Sequence, residues 1–212
     1  MVKSTASTEK PKRAGFMDLS AELRNRIYRY ALVSPVPLRV APISSDSGTV
    51  IKVASFYYLS PGLLATCRQI HQEATAMLYG GNTLHFWFAY MDSSIKPFLD
   101  AIGNSRRLIR SIVLEGHGLP AHEASWALLA QASGLQTIQV QAKANQLRSD
   151  GVECLAACVS SSNCTSQKPY DVVSLQVSEN PKSPTGIDFS GNFKEELQRH
   201  CALKSKRLQL AE

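Results

Sequence analysis

An α+β fold is predicted by three features of this 212-residue chain. Two amphipathic helical segments stand near the N-terminus, a hairpin-like stretch separates them, and the second half alternates between helical and strand patterns. Strand–helix alternation argues for parallel strands with covering helices. The C-terminal half is therefore expected to be a small α/β layer of alternating helices and strands. The expected organisation is a disordered basic tail over 1–14 and a helical segment with a β-hairpin insert over 15–90. An α/β layer over 91–204, able to continue the segment before it, and a flexible tail over 205–212 complete it.

Residues 1–14 are rich in Lys, Ser, Thr and Pro, which leaves little apolar surface to order them. The first helix is expected from about Ser20 to Leu32, with Ser20 as its cap and Glu22 in the first turn, where the dipole favours an acid. Leu19, Leu23, Ile27, Tyr30 and Ala31 form one apolar stripe, while Arg24, Asn25, Arg26 and Arg29 cover much of the rest. A stripe of this kind is what any surface helix needs to fold, so its residues are expected in the domain's own core. Next, "PLRVA" and "TVIKVA" flank "PISSDSG" as a loose hairpin.

Ser60-Pro61 reads as a second helix opening, a capping hydroxyl followed by proline at the first helical position. Leu63, Leu64, Cys67, Ile70, Ala74, Met77 and Leu78 are its expected buried stripe. Gly80-Gly81 is read as its stop, through glycine's tolerance of the left-handed conformation. "NTLHFWFAY" follows as a strand, with Leu84, Phe86 and Phe88 on one face and His85 and Trp87 on the other. Helices "SIKPFLDAIG", "PAHEASWALLAQAS" and "SDGVECLAACVSS" then alternate with strands "RLIRSIVLEG", "GLQTIQVQA" and "YDVVSLQVSE". A last helix is expected near Asn192 to Lys204. "RSIVL", "QTIQV" and "VSLQV" are weakly self-similar, ending at Leu114, Val140 and Val177. They fit either a short leucine-rich-type curved sheet or an ordinary α/β layer.

The net charge is +6, and residues 1–14 carry +3 of it and residues 194–212 another +2. Nucleic-acid binders usually concentrate charge on a folded face, so solvated tails are the simpler reading and a nucleic-acid-associated protein stands as the alternative. No apolar run reaches the ~20 residues that span a bilayer. "MVKSTASTEKPKRAG" lacks the hydrophobic segment of a secretory signal. The expected location is therefore cytoplasmic or nuclear, with Cys67, Cys154, Cys158, Cys164 and Cys201 as reduced thiols.

Little points to catalysis. Cys154 and Cys158 share one side of a helix, but a structural zinc site needs four placed ligands, and "CLAAC" is more simply a run of small core residues. His117 and His122 follow a strand end without an ordered nucleophile beside them, and Glu123 reads as a first-turn acid. The "GGN" at Gly80 follows a helix, so it is no phosphate loop. Arg106, Arg107 and Arg110 lack the interleaved aromatic platform of a nucleic-acid surface. The chain reads as non-enzymatic, with neither metal nor cofactor.

"LSAELRNRIYRYAL" followed by "LLATCRQIHQEATAMLYGGNTLHF" resembles the fungal F-box-like family, related to the double Glu-x-Arg family. The matching positions are Leu19, Glu22, Leu23, Arg24, Ile27 and Tyr28 in the first block. In the second they are Leu63, Leu64, Cys67, Arg68, Ile70, Glu73 and Ala74, then Tyr79, Gly80, Asn82, Thr83 and Phe86. Ser20 stands where the family has proline, and Gln69-Ile70-His71 stands where a second Glu-x-Arg would fall. The resemblance spans about Gly15 to Leu114. It implies a protein–protein interaction module, a substrate-recognition subunit that binds the adaptor of a cullin-RING ubiquitin ligase and an unknown target. On that reading Leu19, Ser20, Leu23, Ile27, Tyr30, Leu64, Cys67 and Arg68 contact protein, and an apolar patch near Leu19 and Leu23 stays exposed.

Overall fold

The structure, a computed structural model, describes residues 14–45, 48–53, 59–87, 91–116, 123–142, 149–161, 173–177, 193, 195 and 197–203. Helix α1 (Ala21–Leu32) is followed by the hairpin β1 (Leu38–Ser45) and β2 (Gly48–Val53). Helix α2 (Arg68–Gly80) leads to β3 (Thr83–Trp87), α3 (Met91–Ile102) to β4 (Ser111–Gly116), α4 (Glu123–Leu129) to β5 (Thr137–Ala142) and α5 (Ser149–Ser161) to β6 (Val173–Val177). Residues 197–203 are helical, as expected near the C-terminus. The chain is thus a mixed α+β protein. Among the described residues no helix is long and apolar enough to cross a membrane.

The six strands among the described residues form one sheet, in the order β2-β1-β3-β4-β5-β6. Only the hairpin pair is antiparallel, and β1, β3, β4, β5 and β6 run parallel. The sheet crosses the expected boundary at residue 90, because β3 lies between the hairpin and β4. Each parallel strand joins the sheet beside its predecessor and always on the same side. Right-handed crossovers then put every connecting helix on one face. Five apolar-x-apolar triplets line up in register. They are Leu38-Arg39-Val40, Leu84-His85-Phe86, Ile112-Val113-Leu114, Ile138-Gln139-Val140 and Val173-Ser174-Leu175.

The outer residues of the first four triplets are buried in the core. There they meet Ile95, Phe98 and Leu99 of α3, Trp126 and Leu129 of α4, and Val152, Leu155 and Val159 of α5. The Phe86 and Phe98 rings meet edge-on, 5.7 Å apart, a favoured aromatic geometry. The middle residues, Arg39, His85, Val113, Gln139 and Ser174, share the opposite face. The self-similarity is therefore real but longer than the sequence suggests. It has five copies, and Val140 pairs with Leu175, two residues before Val177.

Four local expectations are corrected. The hairpin strands absorb Pro42–Ser45, expected as loop, and only 46–47 lie between them. The helix expected from Ser60 is split into a 3-10 turn over Pro61–Ala65 and α2, which starts at Arg68. Ser60 makes no side-chain cap, and its N–H instead donates to Ala31 O at 2.8 Å. Cys67 is the extended N-cap residue of α2 and is exposed, so the buried stripe reduces to Ile70, Ala74 and Leu78, with Leu63, Leu64 and Met77 half-buried against it. Gly81 ends α2 at φ −90°, outside the left-handed region. Glycine is needed there because a Cβ would lie 2.5 Å from Met77 O and 2.8 Å from Val33 Cγ2.

Asn82 closes two helices at once. Its Nδ2 donates to Leu32 O at 2.6 Å and to Leu78 O at 2.7 Å, and its Oδ1 accepts from Ser34 N at 2.7 Å. The side chain is buried, at 2% exposure, and those carbonyls are among the ones a helix end leaves unpaired. Asn82→Ala should destabilise the fold by about 3 kcal/mol, since each stranded buried group costs about 1–3 kcal/mol. Asn82→Asp should be no better, because it turns a carboxylate oxygen toward the two carbonyls. Urea unfolding of both variants checks this.

Candidate protein-interaction surface

Helix α1 is amphipathic in an unexpected direction. Ser20 caps it, accepting weakly from Leu23 N at 3.4 Å. The residues that bury are Tyr28 and Leu32, both fully enclosed, with Ala31 half-buried. The stripe expected in the core faces outward, with Leu23 48%, Ile27 40% and Tyr30 74% exposed. These three sit within about 60° of arc at ~100° per residue. Arg26, beside them, is also exposed.

A polar cluster explains why the helix faces this way. Glu73 on α2 accepts from Arg24 Nε and Nη2, each at 2.9 Å, from Tyr28 Oη at 2.8 Å and from Gln69 Nε2 at 3.0 Å. Arg24 Nη1 also donates to Leu19 O at 2.7 Å, which ties the entering chain to the helix. The Phe16 ring covers Tyr28 with centroids 5.7 Å apart. Bidentate Arg–carboxylate geometry is directional, so the cluster fixes the rotation of α1 as well as its position. Turning the helix to bury Leu23 and Ile27 would break the fork.

The cluster also shifts protonation. The Arg24 fork, then the Gln69 and Tyr28 hydrogen bonds, hold the Glu73 carboxyl down to about 2. Burial, and next the bond to Glu73, push the Tyr28 phenol above its usual 10.

The expected contact residues separate into two groups. Leu23, Ile27 and Tyr30 form one exposed surface. Leu19 is half-buried and works through its carbonyl, Ser20 is a cap, and Leu64 is half-buried against the core. Cys67 and Arg68 are exposed at the start of α2, on the other element. Tyr28, the buried anchor, and Glu73, which accepts its hydroxyl, were not among the expected contact residues.

Elsewhere, Cys158 is buried and Cys154 half-buried in the core. Among the described residues no three His, Cys, Asp or Glu side chains converge as a metal site requires. Arg24, expected on a basic face, is paired with Glu73 at 2.9 Å. The expected tail over 1–14, except Ala14, and the tail over 205–212, together with His117, His122 and Cys164, lie outside the described residues. No protein-family model, curated protein or solved structure matches this chain.

The Glu73 shift predicts acid sensitivity of a definite sign. Between an unfolded value near 4.5 and a folded value of about 2, the unfolded chain binds a proton that the folded chain refuses. Stability from this group is therefore present above pH 4.5 and is lost as the pH falls toward 2. Glu73→Gln should be less stable at neutral pH and flatter across that window, as read from urea midpoints against pH.

Proposed function

We propose that this chain is a non-enzymatic protein-interaction module of the F-box-like kind, acting as a substrate-recognition subunit of a cullin-RING ubiquitin ligase in the cytoplasm or nucleus. Helix α1 docks the adaptor through Leu23, Ile27 and Tyr30, and the sheet layer presents the opposite surface to a target.

One observation carries this reading. A helix locked by a buried anchor and a four-donor carboxylate nevertheless keeps three large apolar side chains on one exposed arc. A helix shaped only by its own fold would turn that arc inward, as the stripe rule expects. Docking it would add ~1 kcal/mol for each half-exposed aliphatic side chain. The rigid seat lowers the ordering cost that binding otherwise pays. Tyr30, with Arg26 beside the stripe, supplies the residue types that dominate interface energetics.

Leu23→Asp/Ile27→Asp tests the proposal. Both positions are exposed, so the variant should keep its circular dichroism and lose only about 1 kcal/mol of stability through helix propensity. Co-purification with the adaptor subunit should succeed for wild type and fail for this folded variant. Wild type that recovers no adaptor would refute the docking role.

A further inference from the structure

Helix α1 carries one pair of hydrogen-bond donors twice. Arg24 and Tyr28 grip the single carboxylate of Glu73, with Arg24 Nε and Nη2 each donating at 2.9 Å and Tyr28 Oη at 2.8 Å. The same pair recurs two residues later as Arg26 and Tyr30. Two residues turn the pair by ~200° and advance it by about 3 Å along the axis, so the copy stands on the outward side of the helix. Arg26 is exposed, Tyr30 is 74% exposed, and neither has an ion pair or hydrogen bond among the described residues. We propose that Arg26 and Tyr30 form a second carboxylate clamp, which takes one Asp or Glu side chain of the protein that docks on Leu23 and Ile27. This rests on the docking reading above and adds the chemistry of the partner to it.

The inner clamp shows what the outer one is able to do. Residues four apart share one face of a helix. At that spacing Arg24 and Tyr28 bring a guanidinium fork and a phenol O–H onto one carboxylate across a helix–helix contact. Arg26 and Tyr30 are the same residue types at the same spacing, so they present the same donors to whatever covers them. A partner that covers Leu23 and Ile27 also strips water from Arg26, because all three lie within about 100° of arc. A charge desolvated without an opposite charge is costly. A carboxylate between Arg26 and Tyr30 removes that cost through a directional, charge-assisted contact.

The charges around the stripe favour an acid. Arg24 is already committed to Glu73. Among the exposed charged residues of α1, Arg26 and Arg29 are cations and Glu22 is the anion, so the outward side keeps a net positive charge. Glu22 makes no ion pair with Arg26, and its place in the first turn suits the free N–H groups and dipole there. A nucleic-acid backbone would leave Leu23 and Ile27 uncovered, and its affinity comes from several cations together.

Titration calorimetry of the full chain with the purified adaptor tests the proposal. Arg26→Gln should bind at least about tenfold more weakly than wild type. Tyr30→Phe keeps the ring and removes only the O–H, and should bind about tenfold more weakly. Because both donors meet one carboxylate, the double variant should fall short of the product of the two losses. Arg29→Gln, outside the clamp, should stay within about twofold of wild type. With each Asp and Glu of the adaptor changed to Arg in turn, one change should weaken wild type and restore binding to Arg26→Glu. Circular dichroism should be unchanged throughout, since both positions are exposed. Wild-type affinity in Arg26→Gln and Tyr30→Phe, a loss no larger than that of Arg29→Gln, or no adaptor change that rescues Arg26→Glu would overturn the clamp, while loss of binding in Leu23→Asp/Ile27→Asp would still uphold docking. Wild type that binds no adaptor would overturn both, so the two failures are told apart.

Discussion

Strand order is the constraint on which this molecule rests. Each parallel strand is added next to the one before it and in a constant direction. With right-handed crossovers, that order allows the connecting helices only one face. A doubly wound sheet reverses direction and buries both faces. Here the described helices form a single apolar layer with one face of the sheet. The alternation of each strand follows from this. An outer triplet residue such as Phe86 or Ile138 must be apolar, while its neighbour His85 or Gln139 is free to be polar.

The hairpin and α1 extend that layer at its leading end. Apolar burial alone would leave α1 free to rotate, because both of its sides carry large apolar residues. Directional polar contacts remove the ambiguity. The Arg24 fork on Glu73, the Tyr28 hydroxyl on the same carboxylate and the three bonds of Asn82 set the angle and the ends of the helix. Hydrogen bonds of this type contribute modest net energy but are costly to leave unmade. Their value here is to choose one packing among several with similar apolar area.

Much of the architecture was legible in the sequence. The period-2 pattern of "NTLHFW" placed Leu84 and Phe86 inward and His85 and Trp87 outward, and the structure agrees. Ser20 was readable as a cap because capping chemistry is local. The break between Ala65 and Arg68 was less so. A continuous apolar period ran through it, and the split goes with a Ser60 N–H that donates to Ala31 O instead of a side-chain cap. The third repeat was misplaced by two residues because "VVSLQV" offers two equally apolar registers, and only pairing with β5 selects one.

The site shows the same division. The sequence alone determined that α1 is a capped helix with a strong apolar arc, that α2 ends at the paired glycines, and that strands alternate with helices through the second half. Those are local matters of period, propensity and turn chemistry. Which arc of α1 faces the core was decided by the tertiary structure. Leu23, Ile27 and Tyr30 look more like a core stripe than Tyr28 and Leu32 do, because hydrophobic period counts residues without knowing where their partners stand. A single carboxylate forty-nine positions away from Arg24 reverses the outcome. The grouping of Arg39, His85 and Glu115 on one face was likewise a product of parallel register, which brings together residues far apart in the chain.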